Sequence, residues 1–218
     1  MPAAFVELHV EQGPQLAEAG APLGVVTGIA ATARGKVVFE GREGHAGTTP
    51  MQSRDDALVA AAEFVLRLRD TAAGVDGAVA TVGQLAVEPD ASNVIPSRVT
   101  LSVDIRAADD ERLEASRRDR ARRACARPGS GDVVRPDDGA AGAARCPRAA
   151  ERSSCPSGAG HDAGVLAAAG VPVAMLFVRS LNGGISHSPD EHSADEDVEL
   201  AVDVLTGALD RLASAVDE

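Results

Sequence analysis

Residues 98–106, Arg98-Val99-Thr100-Leu101-Ser102-Val103-Asp104-Ile105-Arg106, set Val99, Leu101, Val103 and Ile105 in strict alternation with polar residues. Successive side chains of a strand point to opposite faces, so this spacing predicts an antiparallel strand with one face in a core and the other in water. Upstream, residues 79–87 read as a second strand. Before them Leu58, Ala61, Ala62, Val65 and Leu68 recur at helical spacing, with Ser53 placed to cap that helix and Asp56 three positions on. Residues 25–29 and 36–40 read as two strands around a glycine-containing turn, and Asp109 opens a second helix. The order strand, strand, helix, strand, strand, helix predicts a small α+β sandwich with its helices on one sheet face.

Downstream the texture changes. Residues 171–178 are a short continuous apolar run, the pattern of a strand buried on both faces of a parallel sheet, and residues 163–169 before it look helical. A loop carrying His187 follows. Ser193 and Glu196 then read as a capping box for a last helix, whose buried side would carry Val198, Ala201, Val202, Leu205, Leu209 and Leu212. Residues 5–10 make one more short strand. The expected fold class is α/β: an α/β domain of two or three layers, from residues 1–23 and 156–218, interrupted by a smaller α+β domain at 24–116.

Between them, residues 117–155 break every pattern. The stretch holds ten Arg against five acidic residues, so it is about +5 in a chain whose net charge is -12. It also contains all three cysteines (Cys125, Cys146, Cys155) and hardly a large apolar residue beyond Val133 and Val134. Three readings stand: an exposed disordered loop, a basic binding arm, or a segment translated out of frame. A shifted frame in a GC-rich gene yields such Arg/Ala/Gly/Pro-rich text. Three cysteines without C-x-x-C spacing support neither a disulfide framework nor a zinc knuckle.

With 218 residues and 44% apolar content the chain can bury a sizeable core. Its acidity disfavours nucleic acid, whose binding needs clustered cations. No apolar run of about 18 residues is present to span a bilayer. The first residues show no basic stretch followed by an apolar one, so a cytoplasmic location is the expectation.

Three histidines sit in motifs: Glu7-Leu8-His9-Val10-Glu11-Gln12-Gly13-Pro14, Gly44-His45-Ala46-Gly47-Thr48-Thr49-Pro50-Met51 and Ile185-Ser186-His187-Ser188-Pro189-Asp190-Glu191. His9 at a strand end and His187 in a loop suit a divalent metal, although either could be an ordinary surface or core residue. The glycines around His45 let backbone approach a ligand closely, and its imidazole could hydrogen-bond a developing oxyanion. Arg106 is either a fork for a substrate carboxylate or a surface arginine paired with Asp104 or Asp109. Asn93 could equally be a turn residue. The loop Ser157-Gly158-Ala159-Gly160-His161-Asp162 leads into a helix whose N-terminus favours anions, or is a plain connection.

The strings ELHVEQGP, GREGHAGTTPMQSRDDA, SNVIPSRVTLSVDIR, SGAGHDAG and GGISHSPDE resemble the zinc-dependent carbamoylase and allantoate amidohydrolase branch of the M20 metallopeptidase clan, which includes β-ureidopropionases. The resemblance covers nearly the whole chain outside 117–155. It implies a two-metal α/β metallohydrolase domain interrupted by a ferredoxin-like lid that also mediates homodimerisation. It implies His9 and His187 as ligands of zinc or manganese. It further implies that Gln12, His45, Asn93, Arg106, Gly160 and His161 bind a small ureido or amide substrate bearing a carboxylate. Arg106 would hold that carboxylate and His45 would stabilise the tetrahedral intermediate, with His45 and Asn93 reaching from the lid, into the partner's site.

The departures carry their own expectation. The family's G-S-H-x-D-type motif, bridging Asp and Glu-Glu pair, the source of the general base and the other ligands, have no counterpart in these 218 residues. Loss of a general base costs on the order of 100- to 10,000-fold. This polypeptide alone is therefore expected to be inactive, as one piece of a split enzyme or as a non-catalytic dimerising relic.

Overall fold

The computed structural model describes the backbone of residues 2–116, 144–145 and 154–216. It is an α/β protein of two compact units, one formed by Met1–Ala30 with Ala143–Glu218 and the other by Ala31–Gly142. Among the described residues no helix is long and apolar enough to cross a membrane.

The first unit is built on a mixed sheet in the order β1-β8-β2-β6, with β7 also beside β2. Its strands are β1 (Phe5–Val10), β2 (Leu23–Ile29), β6 (Ala144–Arg145), β7 (Ser154–Ser157) and β8 (Val173–Val178). The apolar run expected at 171–178 is the centre of this sheet. β8 pairs parallel with β1, setting His9 opposite Phe177, and antiparallel with β2. Leu16 of α1 (Gln15–Glu18), Val26, Cys155, Ala163, Met175 and Phe177 pack as the core. Burial there pushes the Cys155 thiol up to about 11, so it stays a protonated apolar filler.

The second unit is a three-stranded antiparallel sheet, β3-β5-β4, from β3 (Ala31–Glu40), β4 (Ala78–Glu88) and β5 (Arg98–Ala107). The alternation read in 98–106 holds along β5: Val99, Leu101, Val103 and Ile105 are all at most 2% exposed, while the residues between them are not buried. α2 (Ala57–Ala73) contacts all three strands and buries Ala57, Ala61, Phe64, Leu68 and Ala72. A second helix, α3, occupies 110–116, where Asp109 accepts from the Arg112 amide at 2.8 Å.

Four local expectations are corrected. Strands 25–29 and 36–40 are not partners: β2 joins the first unit's sheet and β3 the second's. Only Ala30 lies between them, too little for the two-residue loop of the tightest common hairpins. Ser53 does not cap α2, because residues 51–53 form a separate 3-10 turn. The cap is Asp56, whose carboxylate accepts from Leu58 and Val59 amides at 2.9 and 3.2 Å. Last, the final helix α5 (Asp195–Val216) begins two residues past Ser193, with the Ala194 carbonyl accepting from Asp197 and Val198. Of the apolar row expected on its buried side, Ala201 is buried, whereas Val198, Val202, Leu209 and Leu212 are exposed. The remaining helix is α4 (Asp162–Ala168). The readings offered for 117–155 fall almost wholly outside the described residues. Of that stretch only Ala144–Arg145 and the first two residues of β7 are described beside β2.

Candidate active site

In the first unit β1 carries Glu7 and His9 on one face. The Glu7 carboxylate accepts from the Ala163 amide at the start of α4 at 2.7 Å, and its other oxygen faces His161 Nδ1 at 3.4 Å. The opposite ring nitrogen of His161 lies 2.7 Å from the Ser157 hydroxyl. The ring packs edge-on against His9, with centroids 4.7 Å apart, and against Phe177. Only 2% of the His161 side chain is exposed. Burial, then the neighbouring His9, push its pKa down against the pull of Glu7. His161 is thus engaged at both nitrogens. Gly160 beside it is exposed, and a Cβ there would meet nothing within 4 Å.

His9 Nδ1 lies 2.7 Å from the Val10 carbonyl. A carbonyl can only accept, so Nδ1 carries a proton, and in a neutral ring Nε2 would keep its lone pair, the arrangement of a metal-ligating histidine oriented by backbone. The donor set nevertheless does not close. Among the described residues no three His, Cys, Asp or Glu side chains converge as a metal cluster, whereas a catalytic zinc takes three protein ligands.

Gln12 and His187 are brought into one network. Gln12 Nε2 donates to Ser186 Oγ at 2.8 Å, that hydroxyl donates to Glu191 at 2.9 Å, and the same Glu191 oxygen accepts from the His187 amide at 2.9 Å. The His187 amide first, then the Ser186 hydroxyl, hold the Glu191 carboxyl below its ordinary range. Gln12 and His187 both adopt left-handed backbone, φ 56° and 57°, and the Gln12 amide is held by Ser180 Oγ at 3.0 Å. Two motifs about 175 residues apart in sequence meet through side chains.

In the second unit His45 and Asn93 are neighbours. His45 forms an isolated antiparallel bridge with Val94, Ala46 N donates to the Asn93 carbonyl at 3.0 Å, and Ile95 N donates to Gly44 O at 2.8 Å. The Gly47 amide donates to His45 Nδ1 at 3.0 Å. The accepting nitrogen carries no proton, so a neutral His45 holds its proton on Nε2, on an exposed loop. Arg106 stands at the other end of β5 and grips Asp104 with Nε and Nη2, both at 3.0 Å. Arg34 reaches the same carboxylate at 2.9 Å. Of the two alternatives for Arg106, the ion pair with Asp104 is present. Arg106 first, then Arg34, hold Asp104 below its ordinary range despite partial burial.

Reading the sequence missed Glu7, Ser157, Glu191 and Arg54, each tied to a predicted site residue or its loop. Glu7 and Glu191 lie inside the quoted motifs, so an acidic residue two to four positions from a histidine was the available signal. Arg54 and Ser157 lie inside the quoted strings as well, but their partners are fixed by loop geometry that sequence spacing does not show.

The family model for peptidase family M20/M25/M40 matches residues 1–211. Among curated proteins the chain is 40% identical over 227 residues to allantoate amidohydrolase of Bacillus subtilis, covering 96% of this chain and 54% of that one. It is 38% identical over 234 residues to N-carbamoyl-L-amino acid amidohydrolase of Geobacillus stearothermophilus, covering 93% and 53%. Among solved structures it resembles AtUAH in complex with glyoxylate, with 35% identity and a TM-score of 0.78 over 93% of this chain and 52% of that one. The chain spans about half the length of the curated relatives it matches.

Proposed function

Because the chain belongs to peptidase family M20/M25/M40, we propose that it supplies part of an amidohydrolase that splits linear ureido or amide C–N bonds of a small substrate bearing a carboxylate. Allantoate is the first choice and an N-carbamoyl-L-amino acid the second, with ammonia and carbon dioxide released. The relatives named for these substrates support that choice. The observation that carries the reading is the fixed tautomer of His45. With Nδ1 accepting from Gly47, Nε2–H is a donor for an oxyanion growing on the ureido carbon as water adds. Such a donor acts before any rearrangement, because the loop already holds it.

Arg106 would take the substrate carboxylate in exchange for its grip on Asp104, a bidentate pairing of the same kind. In one chain Arg106 and the His45–Asn93 pair lie at opposite ends of β5. From Arg98 to Arg106 alone, eight residue steps at about 3.3 Å span about 26 Å, and the His45–Val94 bridge lies beyond Arg98, out of reach of one small ureido acid. This supports a homodimer in which His45 and Asn93 act on a substrate held by the partner. A divalent metal, zinc or manganese, would polarise the scissile carbonyl; His9 and His187 would be this chain's share of its ligands. Gln12, Gly160 and His161 stay in the reading as residues lining the substrate. A cytoplasmic location is proposed on composition alone.

The 218 residues contain neither an H-x-D motif nor a Glu-Glu pair. We therefore expect the polypeptide by itself to be inactive, and two complementary assays test this. Purified chain with allantoate and zinc or manganese should release no more ammonia than His9→Ala; zinc-dependent release lost in that variant would overturn the inactivity. Co-expression with a separate family polypeptide carrying H-x-D and Glu-Glu should restore release, and His45→Ala should abolish it. If the pair forms a metal-loaded complex that cleaves neither substrate, the hydrolase reading is wrong and the dimerising relic replaces it.

A further inference from the structure

Among the described residues Arg54 hydrogen-bonds to none of those expected to meet substrate, yet it is wired to the loop that presents one of them. Its Nε donates to the Thr49 carbonyl at 3.1 Å and its Nη2 to the Ala46 carbonyl at 2.5 Å. Those carbonyls bracket the turn in which the Thr48 and Thr49 amides fold back on the His45 carbonyl. The same turn aims the Gly47 amide at His45 Nδ1. On the far side the loop is fixed by the Asn93 carbonyl, which accepts from Ala46, and by the Ile95 amide, which donates to Gly44. One planar guanidinium therefore closes the side that the 93–95 segment leaves open.

We propose that Arg54 is a positioning residue for His45: its fork holds the 46–49 turn so that Gly47 selects the Nε2–H tautomer. The physical case is the rigidity of the fork. Two donors of one planar group fix two carbonyls relative to each other with less rotamer freedom than a lysine ammonium would have. The loop is exposed at His45, Gly47 and Thr48, so it has little buried apolar contact to hold it otherwise. Charge-assisted bonds to carbonyls exceed neutral ones in strength, which suits a loop whose geometry must survive contact with water. The proposal rests on the reading of His45 as an oxyanion donor, but its test does not.

The test is nitrogen NMR on the full chain labelled at histidine, above pH 8, with His45 identified by the signal lost in His45→Gln. The expected wild-type result is two widely separated ring-nitrogen resonances, one protonated and one accepting. In Arg54→Ala they should draw together as the two tautomers exchange. Arg54→Lys, which keeps the charge without the fork, should fall between. In a second, uniformly nitrogen-labelled sample the amide signals of α2 and β5 report that the unit is folded. Unchanged His45 nitrogens in a folded Arg54 variant overturn the proposal, and should Arg54→Ala fail to fold, the lysine variant decides by the same criterion. Loss of the His45 tautomer without loss of turnover in the reconstituted enzyme would count against the catalytic reading of His45 and leave Arg54's role intact.

Discussion

Gly184 lies in the left-handed region, φ 73°, and a Cβ built on it would overlap the Gly13 carbonyl group and the Pro14 nitrogen. Its neighbour Gly183 has a similar φ of 76° with nothing within 4 Å of the added carbon. The pair separates two costs. Gly183→Ala should lose about 1 kcal/mol, the backbone strain alone. Gly184→Ala should lose on the order of 3 kcal/mol, because the 12–14 turn must also move, taking Gln12 from Ser180 and Ser186. Urea denaturation of both variants checks this; equal losses would mean that the two loops do not press together as described. Asp104 supplies a pH prediction. Its folded pKa is lowered, so the unfolded chain binds more protons as pH falls below the ordinary aspartate value of about 3.9. Its stabilisation is complete above that value and is lost as pH falls through the folded one. Asp104→Asn should flatten the acid limb of the stability profile, and an unaltered limb would mean that the Arg34–Asp104–Arg106 group contributes nothing net. At this scale the sequence put forward candidate residues but not their bonds. That Arg106 could pair with Asp104 was legible two residues away; that Gln12 joins Ser186 was not, because tertiary folding creates that contact.

Elements were legible where one periodic pattern ran against a single core. β5 alternates as read because one face of a three-stranded sheet is covered by α2, whereas β8, uniformly apolar, is in contact with both α4 and α5. Boundaries followed local chemistry that competes among similar residues. Ser53, Asp55 and Asp56 can each cap a helix, and Asp56 wins because its extended backbone turns the carboxylate onto two amides. Asp56→Ala should cost about 1 kcal/mol and Asp56→Asn far less, since an amide oxygen still accepts. Thermal melts of both variants decide it, and equal losses would implicate charge rather than the bond. The partner of β2 was not legible. Whether consecutive strands pair depends on the connection between them, and a single alanine forces the chain to leave one sheet for another.

At the scale of the molecule the two units differ in how their cores are closed. The core of residues 31–116 is assembled from one continuous stretch: Val37, Phe39, Ala61, Phe64, Leu68, Val99, Leu101, Val103 and Ile105 are buried among themselves. A fragment of those residues should therefore melt cooperatively on its own, and a chain with neither dispersed amide signals nor a transition would refute that autonomy. The other unit ends in α5, where Val198, Val202, Leu209 and Leu212 recur at helical spacing yet are exposed among the described residues, Val202 and Leu209 at 50% each. The helix is anchored at its start, where Arg179 pairs with the buried Asp197, and by Ala201. An exposed apolar row of this length should bind a hydrophobic dye such as ANS in the full chain. Replacing Val202 and Leu209 together by lysine should lower the dye signal while shifting unfolding free energy by no more than about 0.5 kcal/mol per site, as expected where little packing is lost. A loss of several kcal/mol would instead mean that this face is covered in solution, and the concentration dependence of melting would then show whether a second copy covers it.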